Sequence, residues 1–285
     1  MSKIVVLGGG ESGVGAALLA FWMPVPQLTA ATACETLPTL GLRSGTVTMF
    51  DLKTLKVLGT APAADDADAI LYDPASQQVF TFNGDANSAS VVDPVSGKSV
   101  AIIPLGGKPE FGVSSGSGRL YVNIEDKAEV AEIDAAAHRV LRRWSLAPCT
   151  EPTGLAIDRV HHRLFSGCHN KVMAISDASV GKLITTVPIG GGVDGNAFDP
   201  ATGLAFSSNG EGTLTVVHED SPRSFRPIAT VPTRRGARTM ALDPRSHQIF
   251  TVTADLGPTP DSTAQEPHPR PPVIPGTFTL IVLAP

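Results

Sequence analysis

The chain has 285 residues, 42 % of them hydrophobic and 17 % charged, which is enough to bury a sizeable core. A net charge of -5 excludes a global basic field that would draw nucleic acid or anionic lipid. Three cysteines exclude a disulfide scaffold, while 28 glycines and 24 prolines give the turn-rich balance of a β protein.

Residues 1–42 share no pattern with the rest and form an atypical N-terminal segment. KIVVLG (3–8) has strand character, and Gly8, Gly10, Gly13 and Gly15 allow a tight turn after it. No βαβ unit follows those glycines, which argues against a dinucleotide site. No phosphate loop of the G-x-x-x-x-G-K-S/T kind occurs anywhere. The apolar stretch ALLAFWMPVP followed by Ala31-Thr32-Ala33-Cys34 reads alternatively as an export signal, although glycines and Glu11 break its apolar run. No 18-residue apolar run is free of glycine clusters, proline and charge, so no transmembrane span is expected.

From residue 43 onward the chain repeats. The segments QQVFTFN, GRLYVNI, HRLFSGC, GLAFSSN and HQIFTVT carry aromatics at Phe80, Tyr121, Phe165, Phe206 and Phe250, spaced by 41, 44, 41 and 44 residues. Seven residues before four of these aromatics stands an aspartate: Asp73, Asp158, Asp199 and Asp243. Alternating strands ending in Asp51, Asp93, Asp134 and Asp177 supply a third anchor, with His218 in that place in the next copy. In the third copy, PTGLAID (152–158), RLFSG (163–167), KVMAIS (171–176) and KLITTVP (182–188) read as strands a to d. Four-stranded units at this period are the pattern of β-propeller blades, because one small sheet cannot bury both faces alone.

The strand count predicts strands c and d of one blade over 45–60, four complete blades from about 67 to 231, and a last blade with strands a (237–242), b (248–253) and c (277–283) but no d. The fold class expected is therefore all-β: a propeller with about four full blades and two partial ones, occupying 43–285. KIVVLG could supply the missing strand d beside TFTLIVL. The Pro-rich stretch 256–275 is expected as a surface loop between strands b and c.

The segments VTMFDLKTLKVLGT (47–60), VVDPVSGKSVAIIPLGGKPEFGV (91–113), EPTGLAIDRVHHRLFSGCHNKVMAI (151–175), GLAFSSNGEGTLTVVHED (203–220) and RGARTMALDP (235–244) resemble the YVTN-type repeat of YncE-like bacterial propellers. The resemblance implies a seven-bladed ring, export to the periplasm or beyond, and a binding role without accepted catalysis. It also implies that strand d of the last blade comes from the N-terminus, so that about a blade and a half is absent here. MSKIVVLGGGESGVGAALLA (1–20) resembles the opening of UDP-N-acetylmuramoylalanine–D-glutamate ligases, and the match ends near Ala20. A misjoined or truncated reading frame is a further reading of that junction.

In an up-and-down blade, the d–a and b–c joints lie at one end, so they converge on one mouth of the channel. These joints are polar here, as expected of a ligand site on a concave face. Glu110, Glu151, Asn196, Asn209 and Arg238 begin strand a or end strand b and are the candidate ligand-binding residues. A carboxylate and amide mix suits a hard divalent cation, and similarity to propeller lactonases makes a metal-dependent hydrolase the alternative, with Glu110 or Glu151 as ligand. No nucleophile set or G-x-S-x-G elbow is present, no cofactor is implied, and no metal ligand set is assigned. Cys149 and Cys168 fall in the two joints of one blade and are a disulfide candidate in an oxidising compartment. His161-His162 and His218-Glu219-Asp220 lie at turns on the opposite face and read as solvated. Two tryptophans, two tyrosines and the single basic spot of Arg234, Arg235 and Arg238 offer little to nucleic acid. The expected partner is a small ligand or a protein of unknown identity. A non-functional fragment is the third reading.

Overall fold

The computed structural model describes residues 3–7, 28–29 and 45–285, apart from 52–53, 55, 65, 264–268 and 270. The glycines after KIVVL and the Ala31–Cys34 motif lie outside these residues. Among the described residues, twenty-three strands form five four-stranded sheets and one three-stranded sheet.

Blade I holds β1 (Lys3–Leu7), β2 (Leu28–Thr29), β3 (Thr46–Asp51) and β4 (Val57–Pro62). Blade II holds β5 (Ala67–Asp73), β6 (Gln78–Asn83), β7 (Ser88–Asp93) and β8 (Lys98–Pro104). Blade III holds β9 (Pro109–Ser114), β10 (Arg119–Ile124), β11 (Glu129–Asp134) and β12 (Arg139–Ser145). Blade IV holds β13 (Pro152–Asp158), β14 (Arg163–Cys168), β15 (Val172–Asp177) and β16 (Lys182–Pro188). Blade V holds β17 (Val193–Asp199), β18 (Leu204–Asn209), β19 (Thr213–Ser221) and β20 (Ser224–Pro232). Blade VI holds β21 (Met240–Asp243), β22 (Gln248–Thr253) and β23 (Thr279–Leu283). From blade II to blade V the sheets are antiparallel meanders in chain order. The chain is an all-β propeller, with four complete blades where the repeat placed them.

The aspartates that mark the repeat close the a–b turns. Asp158 accepts Val160 N–H at 2.9 Å and His161 N–H at 3.1 Å, and Asp199 accepts Ala201 N–H at 3.0 Å. An aspartate side chain that bonds the backbone two residues on supplies the turn where strand pairing stops. Between blades the core is apolar, and the repeated aromatics fill it. Phe80 packs into blade III, and Tyr121 lies in the cluster shared with blade IV. Phe165 lies parallel to Phe198 of blade V at 5.1 Å between ring centroids. Phe206 meets Met240 and Ile249 of blade VI. Strand a of each blade from II to V packs on strand a of the next. At Gly154 a Cβ would lie 2.7 Å from Asp194 O and 2.8 Å from Asn196 N, so a side chain there would strike the backbone of blade V.

Two features differ from expectation or follow from the missing strand. Lys3–Leu7 does not sit beside β23. It pairs antiparallel with β3, from Lys3 opposite Asp51 to Leu7 opposite Val47, and so takes the strand b place of blade I. The reason is hydrogen bonding: β4 covers one edge of β3, and the other edge would be left unpaired. At the other end, no strand among the described residues lies on the outer side of β23. Leu280 and Val282 are 49 % and 48 % exposed, whereas their counterparts Leu214 and Val216 in blade V are 3 % and 7 % exposed against blade VI. Phe250, with no following blade among the described residues, is half-buried.

Candidate functional site

The d–a and b–c joints do meet at one end of the blades. After strand d of blades II, III and IV, Leu105, Leu146 and Ile189 turn the chain toward the next strand a. Leu105 N–H bonds Asn87 O, Leu146 N–H bonds Ala128 O and Ile189 N–H bonds Lys171 O, at 2.8 to 3.0 Å. Side-chain links then fix the joints of blades II, IV and V. Asn83, at the end of β6, donates to Ser88 Oγ at 3.1 Å and Ser90 Oγ at 3.0 Å, and Ser90 Oγ accepts Ala64 N–H at 3.0 Å. In blade V, Asn209 donates to Thr213 Oγ1 at 3.1 Å and Thr215 Oγ1 at 3.0 Å, while Thr215 Oγ1 accepts Gly190 N–H at 3.2 Å. In blade IV the matching positions are Cys168 and Cys149. They are joined as a disulfide with Cα atoms 5.6 Å apart, and both are buried. One blade thus makes covalently the link that two others make through hydroxyls.

At this end stand the second residues of strand a in blades II to V, Asp68, Glu110, Thr153 and Asp194, and Arg238 two residues before β21; Thr153 is buried and its Oγ1–H donates to Val193 O at 3.1 Å. On one side, Lys108 Nζ lies 3.2 Å from Glu110 Oε1 and 2.7 Å from Glu125 Oε2. Glu125 is placed by a 3-10 turn over Glu125–Lys127, whose Asp126 Oδ1 accepts Lys108 N–H at 2.8 Å. Burial pushes the Glu110 carboxyl up to about 8; the Glu125 and Asp68 charges push the same way, and Lys108 only partly offsets them. Burial works against the Lys108 ammonium, yet the hydrogen bond to Glu125 and the charges of Glu110 and Glu125 hold it above its usual range. On the other side, Arg238 Nε lies 3.9 Å from Asp194 Oδ1, and Asp194 Oδ2 accepts Thr239 Oγ1–H at 2.8 Å. The mouth therefore has an acidic sector around Asp68, Glu110 and Glu125, and a mixed sector around Asp194 and Arg238.

The expected ligand-binding residues occupy different places. Glu110 and Arg238 stand at the joint end of the blades, Glu110 beside Lys108 and Arg238 beside Asp194. Glu151 stands just before β13, in the left-handed region (φ 47°), largely exposed, with Oε2 2.7 Å from His169 Nδ1. Asn196 is turned between blades IV and V, where its Nδ2 donates to Phe165 O at 3.0 Å and its Oδ1 is buried without a hydrogen-bond partner. Asn209 is fully buried, and its amide is committed to Thr213, Thr215 and Ser207, so it knits the joint rather than facing the channel. Lys108, Asp68 and Glu125 belong to the joints that the sequence marks as polar, but their convergence on Glu110 depends on how blades II and III are set side by side. On the opposite face, Glu219 parts company with His218 and Asp220. His218 Nδ1 and Asp220 Oδ1 pair at 2.7 Å, and Glu219 points instead toward Asp158 and His161 of blade IV.

No protein-family model matches the chain, and no curated protein matches it. Among solved structures, a chain in the crystal structure of a mitotic checkpoint complex superposes with a TM-score of 0.63 at 14 % identity, over 73 % of this chain and 65 % of that one. This chain thus spans less than two thirds of that neighbour. A chain of the hydrazine synthase of Kuenenia stuttgartiensis superposes with a TM-score of 0.52 at 15 % identity, over 73 % of this chain and 86 % of that one. Matches of this kind extend to 1557 chains, so the likeness is one of fold and carries no single function. The chain is similar to these structures as a β-propeller.

Proposed function

We propose that the chain is a non-enzymatic binding protein of the YncE-like propeller kind, and that its channel mouth takes a small ligand or protein segment through a cationic group. The observation that carries this is the acidic sector. Two carboxylates, Glu110 and Glu125, share one ammonium, and burial together with the Glu125 and Asp68 charges raises the Glu110 carboxyl to about 8, a demand for positive charge. A ligand amine or guanidinium would meet that demand, and Arg238 beside Asp194 would receive an anionic end. The disulfide supports placement in an oxidising compartment, as in the family resembled.

The lactonase-like alternative requires a divalent ion at this mouth. Lys108 Nζ already lies between Glu110 and Glu125, where such an ion would sit, which favours the binding reading. The test is equilibrium binding of labelled trilysine, triglutamate and trialanine to the full chain. We expect trilysine to bind one to one, with affinity falling at least about tenfold in Glu110→Gln and Asp68→Asn. Equal binding of the three peptides, or trilysine binding indifferent to both substitutions, overturns the reading. Calcium-dependent binding lost in the same variants would favour the hydrolase.

A further inference from the structure

On the face opposite the mouth, strand β19 runs on past the length of the other c strands, to Ser221, and its end crosses toward the a–b turn of blade IV. Alternation along this strand sends His218 and Asp220 to one side, where Asp220 also meets Arg226 Nε at 3.0 Å. Glu219 goes to the other side. Its side chain is 3 % exposed, and neither carboxylate oxygen has a hydrogen-bond partner. A buried carboxylate in that state costs free energy unless a cation compensates it.

Two groups face it from blade IV. Asp158, 3 % exposed, is fixed by the Val160 and His161 N–H groups of its turn. His161, 45 % exposed, places Nδ1 at 2.6 Å from Asp158 Oδ2 and 3.0 Å from Glu219 Oε1. The ligand-capable atoms of the three residues all lie within 4.8 Å of one another. The nearest guanidinium, Arg163, directs Nε to Pro222 O at 2.7 Å and Nη1 to Asp177 Oδ2 at 2.8 Å and His162 O at 3.3 Å. Its charge is felt at Glu219, but those N–H groups are spent elsewhere.

We propose that Asp158, His161 and Glu219 bind one divalent transition-metal ion of the zinc class, which staples the a–b turn of blade IV to the c–d hairpin of blade V. One imidazole nitrogen and two carboxylates suit zinc or its first-row neighbours, whereas calcium and magnesium seek all-oxygen sets. Asp158 and His161 come from one tight turn, and Glu219 closes the set from the next blade. The half-exposed edge of His161 gives the ion its way in. Water completes the coordination. The ion neutralises Glu219 and replaces the poorly directed contact that His161 makes with it now.

The test strips the full-length chain with EDTA, titrates zinc by calorimetry, counts bound metal by mass spectrometry and follows melting. The expected result is one zinc per chain, undisturbed by a hundredfold excess of calcium or magnesium, with a midpoint rise of about 5 °C near a hundredfold excess over Kd. Affinity should fall about a hundredfold in both Glu219→Gln and His161→Ala, and stay unchanged in His218→Ala and His169→Ala. His161→Ala alters a half-exposed side chain, so it keeps the test valid should the buried Glu219 variant fold poorly. Absence of stoichiometric zinc overturns the proposal. So does zinc binding that survives His161→Ala, or that is lost in His218→Ala or His169→Ala, since that would be surface adsorption.

Discussion

Replacing Cys149 and Cys168 together by alanine tests whether the joint of blade IV is held covalently. The two cysteines are separated by 19 residues and close a loop that contains all of β13 and β14. In the chain-entropy picture, a loop of this length removes about 11 cal/mol/K from the unfolded ensemble, or about 3 kcal/mol at 25 °C. The other blades show what the link does. Asn83 and Asn209 reach the same joint position through Ser90 and Thr215, with every polar atom of the relay buried or part-buried. Blade IV has no such relay to fall back on, because strand c there offers Val172 and Ala174 in place of the hydroxyl residues. With an unfolding entropy of about 2.1 cal/mol/K per residue over roughly 240 residues, 3 kcal/mol lowers the melting midpoint by about 6 °C. The assay is calorimetry of the wild type and the double alanine variant, both without reductant. Midpoints that agree within about 1 °C would refute the reasoning.

Three other outcomes follow from the same geometry. Glu110, largely buried and beside Glu125, holds its proton to about 8 in the folded chain against 4.5 when unfolded. Its contribution to stability is therefore full below about pH 4.5 and declines as pH rises through 8. Glu110→Gln should remove that slope, matching wild type at pH 4.5 and exceeding it at pH 8.5 in urea titrations; parallel pH profiles would contradict this. Gly154→Ala places a Cβ against the backbone of β17 and should destabilise by about 2 kcal/mol or more, read as a lower urea midpoint. Val282→Lys puts a charge on the unpaired edge of β23 and should reduce self-association in sedimentation velocity without lowering the melting point.

The fold was legible because its signals repeat. An aspartate at four of the five a–b turns, an aromatic in each repeated strand b and an alternating strand c are local features, and the packing of one blade on the next follows from them. What the pattern could not place was the segment before residue 43. KIVVL satisfies the edge of β3 rather than that of β23, and two open edges look alike in sequence. The site was legible in part. That joints converge on one end of the blades follows from strand order, so Glu110 and Arg238 could be placed at that end. Whether a joint residue faces the channel or the joint depends on its neighbours in strand c. Asn209 is taken up by the hydroxyls of Thr213 and Thr215, and nothing in its own segment says so. The Asp158, His161 and Glu219 group was hidden for a similar reason. Its members sit on two blades, and Glu219 is flanked by a histidine and an aspartate that pair with each other.

The central claim is that the acidic sector of the mouth awaits a cation. The direct measurement is the titration of the Glu110 carboxyl by carbon-13 NMR, in the full chain, without and with saturating trilysine. The account predicts a midpoint near 8 for the free chain, falling by about one pH unit or more when the peptide ammonium lies beside it. A free midpoint in the ordinary carboxylate range, or a curve unmoved at saturation, would contradict it.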